Sequence, residues 1–165
     1  MSGLAGTRRR RDILVVVVAL VAFTAACGTG GLDFKDSTKL RDLRPRAYQS
    51  RTTPLKLSWR ATPLPPGQKY LVLVDQSPME PGQSIEDLVD DSCKATRGCP
   101  DKAYLDAHYM YQTTDDHISI PTVPIAGMYD TDDLSDLHHV VIIVLDRANR
   151  RVGEQSWTTD VRVPT

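Results

Sequence analysis

Val140-Val141-Ile142-Ile143-Val144-Leu145 is six aliphatic residues in a row. The run has the length of one strand, and it is apolar at odd and even positions alike. A strand with one wet face alternates apolar and polar residues, so this run needs cover on both sides. A second stretch of the same kind, Lys69-Tyr70-Leu71-Val72-Leu73-Val74-Asp75, lies earlier in the chain. Pro63-Leu64-Pro65-Pro66-Gly67 makes the turn before it, and Pro78 and Pro81-Gly82 end it.

Shorter strands are expected around these two. Leu55-Lys56-Leu57-Ser58-Trp59-Arg60-Ala61 alternates, with Leu55, Leu57, Trp59 and Ala61 on one face. His108 to Thr113 reads as a strand with Tyr109 and Tyr111 on one face and His108, Met110 and Gln112 on the other. Asp115-Asp116 is a turn before the short strand His117-Ile118-Ser119-Ile120-Pro121. Pro124 to Asp136 is loop-like and acidic. Leu137 to Leu145 is the full central strand, Asp146 to Arg151 turns the chain, and Gly153 to Val163 is the last strand, with Trp157, Val161 and Val163. Helical signals are few. Ser84-Ile85-Glu86-Asp87 is close to a capping box and predicts a short helix over 84–91, with Ile85, Leu88 and Val89 on one side. Ala103 to Ala107 predicts one further turn. No internal repeat is present.

Short strands, Pro/Gly turns and little helix imply a mainly β sandwich. Leu57-Ser58-Trp59, Tyr70-Leu71-Val72-Leu73-Val74, His117-Ile118-Ser119-Ile120-Pro121, Val140 to Asp146 and Trp157 to Val163 together resemble a fibronectin type III or immunoglobulin-like domain over about residues 52–165. The resemblance implies that Trp59 lies on strand B, the Tyr70 run is strand C, the Val140 run strand F and the final run strand G. Strands C and F are neighbours in such a sandwich, so their second apolar face needs a cover. Two covers are open: the short helix of an insertion at about 84–107, or a partner protein.

The N-terminal end bears on location. Arg8-Arg9-Arg10-Arg11 precedes an apolar run from Ile13 to Ala26, with Ala25-Ala26 before Cys27. That is the three-part plan of an export signal, and the run is shorter than the roughly 20 residues of a spanning helix. Thr24-Ala25-Ala26-Cys27-Gly28 resembles the lipobox of bacterial lipoproteins, although Thr24 stands where an aliphatic residue is usual. The resemblance implies a signal peptide over 1–26 and a diacylglyceryl group on Cys27. It also implies an exported protein held on the outer side of the cell membrane by acyl chains, each buried methylene contributing about 0.8 kcal/mol. An uncleaved anchor running through Gly31 is the alternative, disfavoured by Gly28, Gly30 and Gly31. Arg10-Arg11 leaves both general and twin-arginine export open. Residues 27–51 are polar and mixed in charge and read as a tether, with an edge strand or helical turn over 39–43 as the other reading. In an exported chain the pair Cys93 and Cys99 reads as a disulfide closing a small loop.

Residues 27–165 hold 16 basic and 20 acidic residues, a net charge of −4, which argues against nucleic acid as a partner. Gly-x-Ser-x-Gly, His-Glu-x-x-His and a phosphate loop are all missing from the sequence, so no catalytic residue and no cofactor is expected. Asp130-Thr131-Asp132-Asp133-Leu134-Ser135-Asp136 lacks the glycine and terminal glutamate of a calcium loop. His138-His139 point to opposite faces of a strand. His108 and Met110, with Met79 or Met128, are the residues a copper site would use. The expected function is a noncatalytic binding or assembly module for an envelope protein. Copper handling, and cell-wall glycan binding or hydrolysis, are the alternatives.

Overall fold

Two sheets organise the protein, a computed structural model of which describes residues 40–125 and 136–164, without the side chains of Glu154 and Gln155. The smaller sheet has the order β1-β3-β6, from β1 (Leu40–Arg44), β3 (Leu55–Ala61) and β6 (His117–Ile120). The larger runs β2-β8-β7-β4-β5, from β2 (Gln49–Ser50), β8 (Arg151–Arg162), β7 (Leu137–Leu145), β4 (Lys69–Val74) and β5 (Met110–Thr113). All pairings are antiparallel except β2 with β8. The two runs that are apolar throughout lie side by side at the centre of the larger sheet, Tyr70 opposite Val144 and Val74 opposite Val140.

Alternation along these strands feeds two cores. Tyr70, Val72, Val74, Val140, Ile142 and Val144 point toward the smaller sheet and meet Leu55, Leu57, Trp59 and Ile120 there. Trp59 packs edge-on against Tyr70, with ring centroids 5.0 Å apart. Leu71, Leu73, Val141, Ile143 and Leu145 point the other way and meet Met79, Ile85, Leu105 and Met110. The cover for the second face is therefore the chain's own insertion between β4 and β5.

Three sequence expectations change. The stretch taken as a tether already contains β1 and β2, and Leu40 pairs with Ala61; a strand over 40–44 replaces the tether there, because Leu40 has a core to enter. The helix expected over 84–91 is instead a 3-10 turn at Ile85–Asp87 followed by α1 (Asp91–Lys94). Ser84 and Asp90 each act as an N-cap, and two caps six residues apart cannot belong to one helix. The strand expected over 108–113 begins only at Met110, since His108 caps α2 (Lys102–Ala107) and Tyr109 has φ +57°.

Candidate functional site

The insertion, residues 75–109, covers the second face of the larger sheet without supplying a strand to either sheet. Its local order comes from caps. Ser84 N–H donates to Asp87 Oδ2 at 2.9 Å, and Ser84 Oγ accepts from Glu86 N–H at 3.3 Å. Asp90 Oδ1 accepts from Cys93 N–H at 2.9 Å and from Ser92 Oγ at 2.6 Å. Asp101 Oδ1 accepts from Tyr104 N–H at 2.8 Å and starts α2. Tyr104 links the two helices, donating its hydroxyl to Asp90 Oδ2 at 3.0 Å while accepting from Asp90 N–H at 3.1 Å. The bonds from Ser92, Cys93 and Tyr104 favour the ionised form and lower the Asp90 pKa to about 2. Cys93 and Cys99 lie at disulfide distance, with Cα atoms 5.3 Å apart, and close the loop between α1 and α2.

The insertion is also strapped to the β7–β8 turn. Gly82 N–H donates to Arg151 O at 3.0 Å, Arg151 N–H to Gln83 O at 2.9 Å, and Ile85 N–H to Asn149 O at 3.0 Å. The buried Arg151 guanidinium donates to Met79 O. Desolvation lowers the Arg151 pKa, and Glu80 opposes that shift. Inside lie Met79, Ile85, Val89, Cys93 and Leu105; outside, Glu86, Asp91, Lys94, Arg97 and Lys102 face water. A shallow cleft of about 340 Å³ runs between the disulfide loop and Tyr104, with Ser92, Thr96, Arg97 and Asp101 on its walls.

The copper residues do not come together. His108 is exposed, stacks on Tyr104 at 4.0 Å, and donates Nδ1–H to Tyr104 O at 2.8 Å. Met110 is 3% exposed and Met79 0%, both inside the second core. The expected shared strand face is lost because His108 ends a helix. Among the described residues no three His, Cys, Asp or Glu side chains are grouped to hold a metal ion. Tyr109 and Tyr111 pack against the first core, and Tyr111 donates its hydroxyl to Thr122 O at 2.8 Å. Burial raises the Tyr111 pKa. Cys27, Met128 and 130–135 lie outside the described residues; Asp136 accepts from Arg162 at 2.7 Å.

One polar constellation was not anticipated. His138 is fully buried at the start of β7, with Nδ1 2.7 Å from Asp75 Oδ2. Asp75 Oδ1 accepts from His139 N–H at 2.7 Å, and Asp75 N–H donates to His139 O at 2.8 Å. His139 turns to the other side and meets Asp160 at 2.6 Å. A carboxylate orienting an imidazole is the geometry of a general base, but His138 Nε2 is buried with no hydrogen-bond partner among the described residues. The pair joins the end of β4 to the start of β7. The available signal was an ionisable residue beside each of the two apolar runs, Asp75 directly after one and His138 two positions before the other.

No family model matches the chain, and neither a curated protein nor a solved structure matches it. The functional reading rests on the geometry and the sequence.

Proposed function

We propose that the protein is an exported lipoprotein, anchored through Cys27, whose immunoglobulin-like domain binds or assembles an envelope protein without catalysis. The fold part of this reading is supported by strand order. In fibronectin III and immunoglobulin sandwiches strands C, F and G share a sheet and strand B lies in the other. Here β4, β7 and β8, the strands matched to C, F and G, are successive neighbours, and β3, matched to B, is in the opposite sheet.

The observation that carries the function is the insertion's construction. It has its own apolar interior, three caps, a disulfide and a strap to the β7–β8 turn. That effort holds a polar exterior still, and a pre-ordered exterior binds with less entropy lost. Asp91, Lys94, Arg97 and Lys102 are the residues offered to a partner. The test is photocrosslinking in intact cells from position 97, with position 147 in the β7–β8 turn as control, alongside membrane fractionation of Cys27→Ala. One stoichiometric protein captured from 97 and not 147, with Cys27→Ala released from membranes, is expected. No crosslink from 97, or an unchanged membrane fraction for Cys27→Ala, overturns the reading.

A further inference from the structure

Charge is sorted by layer. Residues 40–60 contain six Lys or Arg and one carboxylate, Asp42. Residues 75–108 contain eight carboxylates and three Lys or Arg. The first segment supplies β1 and β3 of the smaller sheet, with four of the six cations, and β2 of the larger, flanked by Arg46 and Arg51; the second is the insertion on the far side of the larger sheet. Register puts the cations on one face. Arg41 lies opposite Arg60, Arg44 opposite Ser58, Lys56 opposite Ser119 and Ser58 opposite His117. Leu55, Leu57 and Trp59 point inward between them, so Arg41, Arg44, Lys56 and Arg60 all stand exposed on the wet face. Two carboxylates accompany them: Asp42, 3.8 Å from Arg60 with both side chains mostly in water, and Asp116, hydrogen-bonded to His117. Stacked sheets are about 10 Å apart and the Debye length is about 8 Å, so the acidic insertion does not neutralise this face.

We propose that the outer face of the β1-β3-β6 sheet docks on anionic lipid headgroups and so turns the insertion away from the bilayer. The inference rests on the reading of Cys27 as the lipid anchor. Residues 28–39 alone separate Cys27 from β1, and that length of chain reaches at most about 45 Å. The first strand after Cys27 is an edge strand of the cationic sheet itself, and a tether of that reach is long enough to let this face meet the surface. A net charge of −4 over residues 27–165 would repel an anionic membrane if it were evenly spread. Sorted as it is, the same charge sets an orientation: cations down, carboxylates out.

The test uses the full lipidated protein in vesicles of phosphatidylcholine, with or without about 30 mol% phosphatidylglycerol to give an anionic surface. Energy transfer to a headgroup dye is read from a fluorescent residue at Ser119 or at Arg97. In the anionic vesicles Ser119 is expected close and Arg97 remote; in phosphatidylcholine, or with salt near 0.5 M, the difference vanishes. Each single change to Gln at Arg41, Arg44, Lys56 or Arg60 is expected to lower the docked-to-undocked ratio about fivefold, while Lys94→Gln and Lys102→Gln leave it unchanged. These positions are exposed, so circular dichroism is expected to match wild type. Equal transfer from both probes in anionic vesicles overturns the proposal. So does an orientation that survives the fourfold change to Gln, or one that appears only when a soluble polyphosphate is added. Mass spectrometry of the purified protein reads the lipid on Cys27 separately, so a missing anchor is told apart from a failed docking.

Discussion

The two faces of the larger sheet are equally apolar and are covered by opposite means. Toward the smaller sheet, Val72, Ile142 and Val144 meet residues that recur every second position along β3, and long-range register holds the contact. Toward the insertion, Leu73, Ile143 and Leu145 meet Met79, Ile85 and Leu105, which come from separate turns. The first cover is held by a ladder of backbone hydrogen bonds. The second is held by caps, a short covalent loop and the strap to the β7–β8 turn. A local cover of that kind opens without unpairing the strands beneath it.

The strongest way to break this contrast is to empty each core in turn. Ile142→Ala is expected to cost about 4 kcal/mol, within the usual range for a buried isoleucine, and to lower the protection of every strand in hydrogen exchange. Ile85→Ala is expected to cost about 2–3 kcal/mol and to release amides of 84–108 first, leaving β4 and β7 protected. Equal loss of strand protection in both variants would mean that the two cores unfold as one unit. The next effect is covalent. Replacing Cys93 and Cys99 with Ser together removes a small loop closure, about 2.4 kcal/mol by chain entropy; the exchange pattern should follow Ile85→Ala rather than Ile142→Ala. Ser84→Ala removes one cap and is expected to cost about 1 kcal/mol, detectable as faster exchange at Asp87 and Leu88.

The contrast also accounts for what was legible in the sequence. The strands and their neighbours were readable because Val140–Leu145 and Tyr70–Val74 break the alternation rule, and a run with no wet face must be central. The capping signal at Ser84 was readable too. What followed was not, because Asp90 restarts the chain by accepting from Cys93 N–H, and competition between two caps is settled by packing. β1 was legible only as the second reading of 39–43, as an edge strand or a helical turn, for a related reason: Leu40-Arg41-Asp42-Leu43-Arg44 has a charged composition and a left-handed Asp42 at φ +53°, and the register shift between Arg41 and Arg44 erases its alternation. The expected copper site was less legible still. His108 and Met110 sit two residues apart in sequence, yet the end of α2 puts one in water and the other in a core.

The smallest effect tests the insertion through its own titration. The hydrogen bonds from Ser92, Cys93 and Tyr104 hold the Asp90 pKa down, from the ordinary 3.8 to about 2 in the folded protein. A depressed folded pKa means that the stabilisation is complete above about pH 4 and is lost as pH falls toward 2. Asp90 is exposed, so the change belongs to the local opening of α1 rather than to global unfolding. Exchange at Cys93 and Lys94 should therefore quicken between pH 4 and 2, relative to the intrinsic acid dependence, while amides of β7 keep their protection. Asp90→Asn keeps a good N-cap and removes the charge, so it should flatten that pH dependence without moving the transition of the first core. If Asp90→Asn instead lowers protection in β7 at neutral pH, the cap is coupled to the ladder, and the insertion is part of the sheet's own cooperative unit rather than a cover laid upon it.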